Sequence, residues 1–187
     1  SMGCNGWAYK DVLPYFKRSE DNVRGSSAFH GAKGPLTVSD QGWPNTTSEA
    51  FVESASQLQL PLNSDFNGDV QEGFGLYQVT QRAGERWSAS RAYIEPLRLK
   101  PNLKILTKTL VERLVIENNV VTGVAVRHGR KSEIIQARRG VVLCAGAFNS
   151  PQILMLSGIG PGEHLKQHGI EVVLDKKAVG EVIIFGG

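Results

Sequence analysis

Two cysteines in 187 residues do not make a disulfide framework. Cys144 sits in an apolar run and reads as a small core residue, while Cys4 lies near the start of the chain. No apolar run approaches the ~20 residues of a membrane span, and no signal-peptide pattern is visible. Charge of one sign is not in excess: 21 Lys and Arg stand against 18 Asp and Glu, leaving +3. The basic residues are spread along the chain, with small clusters only at 127–131 and 138–139, the first of which reads as a solvated turn. A basic stripe with interleaved aromatics is missing, which argues against a nucleic-acid partner. His164 and His168 share one helix face, but Glu163 precedes them in the wrong order for a zinc-hydrolase helix and no third ligand stands nearby. No metal is therefore expected. No Gly-x-Gly-x-x-Gly loop follows a strand, so no complete dinucleotide fingerprint is present.

What remains is an ordinary globular composition, 41% hydrophobic and 21% charged, without repeats or low-complexity tracts. The most informative stretch is residues 141–160, VVLCAGAFNSPQILMLSGIG. Its apolar run, 141–144, ends in Ala145, Gly146 and Ala147 and reads as a buried parallel strand. Small residues at its end let another backbone or a ligand approach. Ser150 then reads as an N-cap and Pro151 as the first helical residue. Strand, small-residue turn and helix N-terminus together suit an anionic or pyrophosphate-bearing ligand. The tetrad Ser157–Gly160 reads as a helix-to-helix turn rather than a nucleotide loop, because it follows a helix pattern and Pro161 removes a donor.

Elsewhere, residues 7–20 read as an amphipathic helix interrupted by Pro14, followed by a loop over 21–34 and an edge strand over 35–39. Thr46 and Glu49 form a capping-box pattern that opens a helix to about Leu60, with Ala50, Phe51, Ala55 and Leu58 facing inward. The polar loop 63–73 is long enough to suggest a functional or lid-like segment. Residues 74–82 alternate like a strand, and Ser88 caps a short helix over 89–95 that Pro96 closes. Further strands are expected at 103–107, 111–117, 120–127, 132–137 and 170–174, with Asn118-Asn119 as a two-residue hairpin turn. Residues 161–168 read as a helix stopped by Gly169. His30 and His128 stand isolated in loop-like stretches, and either has the chemistry of a catalytic base.

The spacing of Gly146, Ser150, Pro151, Leu154 and Ser157-Gly158-Ile159-Gly160 resembles the second signature of the glucose-methanol-choline (GMC) oxidoreductases. The resemblance extends to Trp7-Ala8-Tyr9 with Leu13-Pro14-Tyr15-Phe16, to Asp65-Phe66-Asn67-Gly68 with Glu72-Gly73, and to Arg86-Trp87-Ser88-Ala89 with Arg91-Ala92-Tyr93. It lies nearest the choline dehydrogenase and alcohol dehydrogenase branch. It implies an α/β (α+β) fold: a partial FAD-binding domain with a three-stranded β-meander, plus part of a substrate-binding domain. It divides the chain into a linker helix over 1–20, substrate-binding domain over 21–100, the second half of the FAD domain over 101–181, and a non-family tail over 182–187. The activity implied is hydride transfer from the CH–OH group of choline or another alcohol to FAD.

By the same resemblance, Val111, Ala145, Gly146, Ala147 and Ser150 are the cofactor-binding candidates, and Arg86, Trp87 and Ser88 border the substrate cavity. Family members are much longer. Their Gly-rich loop lies near the N-terminus and their catalytic His toward the C-terminus, and neither matches a position in this chain. The chain therefore reads as the middle of an enzyme, with Ser1-Met2 as a tag scar and residues 182–187 as a frameshifted or vector-derived end. It is expected to be inactive and free of flavin alone. Strands left unpaired suggest dimer formation, with 182–185 as an added strand. The parent is expected in the cytoplasm or associated with a membrane.

Overall fold

Residues 5–181 are described by the structure, a computed structural model. Cys4 and the expected added strand at 182–185 lie outside them. The chain falls into two units, Ser1–Lys104 and Ile105–Gly187. Among the described residues, no helix is long and apolar enough to cross a membrane.

The first unit opens with helix α1 (Tyr9–Ser19). The Asp11 carboxylate in its first turn accepts from the Ala8 N–H at 3.1 Å, and Lys17 and Arg18 in its last turn complement the helix dipole. Pro14 forgoes the bond to the Lys10 carbonyl without ending the helix, which stops where Glu20 turns extended. Strand β1 (Glu20–Asn22) then pairs in parallel with β2 (Leu36–Val38), Glu20 opposite Leu36 and Asn22 opposite Val38. The loop between them lies directly on the end of α1. A Cβ at Gly31 would fall 1.8 Å from the Lys17 carbonyl oxygen.

Helix α2 (Thr46–Gln57) forms where expected, but Asn45 is its cap, accepting from the Thr47 N–H at 2.8 Å. Thr46 is already helical, so the box built on it does not form. Of the four expected inward residues only Ala55 is buried, whereas Phe51 and Leu58 are exposed. The strand expected over 74–82 reduces to isolated bridges and a two-residue hairpin, β3 (Gln81–Arg82) with β4 (Glu85–Arg86). Ala83 and Gly84 at φ +50° and +78° turn it, so the alternating segment reverses before a ladder can extend. The short helix after Ser88 is a π turn over Ser90–Ile94 that passes into a 3-10 turn, Glu95–Leu97, around Pro96. Ser88 Oγ accepts from the Arg91 N–H at 3.3 Å.

The second unit is built on an antiparallel meander, β5 (Thr109–Glu117), β6 (Val120–His128) and β7 (Lys131–Gln136). Asn118 and Asn119 sit at φ +50° and +63°, the left-handed pair that a tight hairpin needs. Leu114 and Val126 are buried on one face of this sheet, and helix α3 (Gly146–Leu156) packs on β5 and buries Ile153. After α3 come β8 (Ile159–Gly160), α4 (Gly162–Gln167) and β9 (Leu174–Asp175), with β8 and β9 parallel. The first N–H of α4 is satisfied by Asp175 Oδ1 at 3.0 Å, and Gly169 at φ +69° follows its end.

Several sequence expectations fail from residue 103 onward. Residues 103–107 form no strand, and the strand expected over 170–174 shortens to β9. The run 141–144 joins no ladder among the described residues; Val142 is 87% exposed and Cys144 is exposed, not core. A buried strand needs partners on both sides, and the meander turns back through β7 without supplying one. Helix α3 also begins at Gly146, so Pro151 lies inside it rather than at its first position, and Ser150 is not the N-cap.

Candidate functional site

The second unit carries a groove of about 480 Å³ between β5, the extended segment 141–145 and the first turns of α3. Val111 from β5 and Ala145 from the segment's end line it together, with Val124, Val141 and Asn149 around them. Gly146 opens α3 at φ +84°, and a Cβ built there meets nothing within 4 Å. Ala147 is exposed in the same turn. Ser150 acts from inside the helix: its Oγ accepts from the Ala145 N–H at 3.1 Å and folds the turn onto the helix. Among the described residues Ala145 makes no side-chain cap and the first turn holds no acidic residue, so no carboxylate opposes the positive end of this helix dipole. Of the five cofactor-side candidates, Val111 and Ala145 line the groove, while Gly146, Ala147 and Ser150 follow Ala145 along the first turns of α3 outside its lining.

The signature residues beyond α3 serve a different purpose. Ser157 is buried; its Oγ donates to the Ile153 carbonyl and accepts from the Leu114 N–H at 2.8 Å. It joins the end of α3 to the middle of β5, which forms the groove's wall. Gly158 at φ +83° passes against the Glu171 carbonyl, 2.5 Å from where a Cβ would stand. This turn joins α3 to α4 and packs as a structural joint. Ser157→Ala is expected to leave the Leu114 N–H unsatisfied and to cost about 1–3 kcal/mol. A urea midpoint unchanged from the parent chain would refute that role.

The substrate-side candidates belong to the first unit. Arg86 is exposed at the end of β4. Trp87 is half-buried, donates Nε1–H to the Pro35 carbonyl at 3.0 Å and lies under the Arg82 guanidinium. Ser88 receives the Arg91 N–H. Trp87 therefore ties the end of β4 to the backbone before β2, and Ser88 caps the turn that follows it.

One cluster in this unit was not legible as a group. His30 is buried, with Nδ1 2.9 Å from Glu20 Oε1 and Nε2 2.9 Å from Asp65 Oδ2. Glu20 Oε2 also accepts from the Gly31 N–H at 2.9 Å. Asn22 Nδ2 donates to Glu20 Oε1 at 3.0 Å and to Gln78 Oε1 at 2.8 Å. Burial opposes charge on the imidazole, but hydrogen bonds and charge from Glu20 and Asp65 outweigh it, so the His30 pKa is raised. Beside this cluster the Arg24 guanidinium pairs with Asp40 at 2.6 Å and holds its carboxyl below the usual range. The members come from β1, two loops and Gln78, up to 56 positions apart, so no local pattern marks them. The only sequence signals were an isolated His30 and an unusually long polar loop at 63–73. His164 and His168 do meet at 4.7 Å between ring centroids, but no group of three or more metal-capable side chains occurs among the described residues.

Residues 1–182 match the family model of GMC oxidoreductase. The oxygen-dependent choline dehydrogenase of Rhizobium etli is 47% identical over 179 residues, covering 96% of this chain and 32% of that protein. The protein of the same name from Brucella ovis is 45% identical with the same coverage. The chain thus spans about a third of the length of the curated relatives it matches. Among solved structures, pyridoxine 4-oxidase from Mesorbium loti superposes with a TM-score of 0.82 at 34% identity, covering 90% of this chain and 33% of that one. An FAD-dependent oxidoreductase from Chaetomium thermophilum gives 0.80 at 27% identity, covering 92% and 32%. With signature, meander and nearly the whole length matched, the chain belongs to the GMC oxidoreductase family.

Proposed function

We propose that this chain is a segment of an FAD-dependent oxidoreductase that acts on the CH–OH group of choline or another small alcohol. In this reading residues 21–100 contribute to the substrate-binding domain, and 101–181 supply one wall of the FAD site. The observation that carries it is the start of α3, which no side chain caps among the described residues, beside an apolar groove lined by Val111 and Ala145. FAD has both features such a place would take, a pyrophosphate for the helix end and a flat adenosine for the groove. Gly146, with no atom where a Cβ would stand, leaves room for the pyrophosphate to approach the backbone.

When bound, FAD supplies the hydride acceptor. The chain's own residues bind and orient. Val111 and Ala145 would hold the adenosine side, Gly146 and Ala147 would present backbone at the pyrophosphate, and Ser150 keeps that turn folded through Ala145. Arg86, Trp87 and Ser88 would border the alcohol. No Gly-x-Gly-x-x-Gly loop is present to add phosphate donors. The chain alone is therefore expected to purify colourless and to show no alcohol-dependent dye reduction.

The test is a flavin-fluorescence titration of the chain with FAD. Weak saturable binding is expected, displaced by ADP and weakened about tenfold, ~1.4 kcal/mol, by Gly146→Val. Binding indifferent to that substitution and to ADP would remove the groove from the cofactor site. In a chain of the relatives' full length carrying this segment, choline-dependent dye reduction should fall with the same substitution.

A further inference from the structure

The His30 cluster demands a proton that neutral side chains do not supply. Both ring nitrogens stand 2.9 Å from carboxylate oxygens, and a neutral imidazole carries one N–H. Asn22 Nδ2 also lies 3.2 Å from Nδ1, but its two hydrogens are already directed at Glu20 and Gln78. Both ring nitrogens are therefore placed to donate, the arrangement of an imidazolium between two carboxylates. Glu20 belongs to β1 and Asp65 to the 63–73 loop, so the ring joins these two segments.

We propose that His30 is a proton-dependent latch: as an imidazolium it fastens Asp65 of the 63–73 loop to β1, and loss of one proton to solvent releases the Asp65 part of that loop. The released contact is the one to Asp65. Glu20 is held in place by the Gly31 N–H and by Asn22, and its side chain is 16% exposed. Asp65 is 34% exposed and its own remaining bonds lie within the loop: Asn63 Oδ1 accepts from the Asp65 N–H at 2.7 Å, and Asp65 Oδ1 from the Asn67 N–H at 3.1 Å, while the loop is held elsewhere by Phe66 against Tyr77. A neutral ring keeps Nδ1–H on Glu20 and turns a bare Nε2 lone pair toward Asp65, which moves toward water. The neighbouring charges are already engaged. Arg24 pairs with Asp40 and donates to the Ser64 carbonyl, and Lys17 from α1 donates to the Ser27 and Ala28 carbonyls.

The sign follows from the raised His30 pKa. The latch contributes fully below the ordinary imidazole value of 6.5 and is lost as pH rises through the folded value. Ring nitrogen shifts and proton titration by NMR on the whole chain should show a doubly protonated His30 at pH 6. Exchange at the Asp65 and Asn67 amides, corrected for intrinsic rates, should accelerate through the same titration, by about tenfold per pKa unit separating latched from released loop. Asp65→Asn should lower the His30 pKa and flatten that acceleration, and His30→Gln should leave the loop fast at every pH. If His30→Gln does not fold, Asp65→Asn decides alone. A single neutral tautomer at pH 6, with Asn22 donating to Nδ1, would overturn the proposal. So would loop exchange indifferent to the His30 titration.

Discussion

Gly31→Val is expected to unfold the β1–β2 region of the first unit, with Gly31→Ala as a milder version of the same failure. A Cβ at this position would lie 1.8 Å from the Lys17 carbonyl oxygen, 2.6 Å from its carbon and 2.9 Å from its Cα. All three are backbone atoms in the last turns of α1, so no side-chain rotation relieves the contact. The loop must lift from the helix. In lifting, it withdraws the Gly31 N–H from Glu20 and carries the adjacent His30 out of its position between Glu20 and Asp65. Overpacking ordinarily costs about 1–3 kcal/mol. A clash against backbone that also dismantles a buried charged cluster belongs at or beyond the top of that range. Urea unfolding should show a lower midpoint for Gly31→Ala. For Gly31→Val, amide protection should vanish at Gly34 and Val23, which bond to Glu20 and Val38 across β1 and β2. A Gly31→Ala midpoint within error of the parent would mean that the loop does not lie on α1 as described.

The parts of the fold legible in the sequence are those whose cause is local. The meander announces itself through β-branched residues on either side of Asn118-Asn119, and these tolerate the positive φ that the turn requires. Helix α4 follows from Pro161 before it and Gly169 after it. Helix α1 survives Pro14 because one missing bond near its middle is outweighed by the rest of the helix and its charged ends. Failures came where a local pattern needs a partner to act on. The run 141–144 has the composition of a buried strand, yet burial depends on neighbouring strands, and none pairs with it among the described residues. The alternation over 74–82 met a hairpin turn at Ala83-Gly84. Of the five residues proposed from family resemblance, Val111 and Ala145 line the candidate groove, and Ser150 bonds back to Ala145 rather than capping the helix. The latch lay beyond reach because Glu20, His30 and Asp65 each look ordinary, and only the parallel β1–β2 pairing and the folded 63–73 loop bring them together.

Leu165→Ala should produce the largest single loss in the second unit. Leu165 is 1% exposed and one of two fully buried large side chains among the described residues. It sits on α4, a six-residue helix too short to be stable by its own hydrogen bonds. Its position therefore depends on this side chain, on Asp175 at its start and on the Ile170 N–H returning to the Leu165 carbonyl at 2.9 Å. Truncation to Ala removes buried carbon and leaves a void, which in well-packed cores costs about 2–5 kcal/mol. The loss should reach β8 and β9, because Gly160 and Asp175 flank α4 and pair with each other across that small sheet. Exchange at the Lys176 amide, which bonds to the Gly160 carbonyl, should rise to the rate of an open loop. The β5–β6 amides should lose less protection, since Val126, Leu114 and Ile153 pack there without it. Equal loss throughout the unit would show that α4 and the meander unfold as one cooperative body. Loss confined to 159–176 would show that the α4 end opens separately. A urea midpoint lowered by less than the equivalent of about 1 kcal/mol would contradict the burial of Leu165 itself.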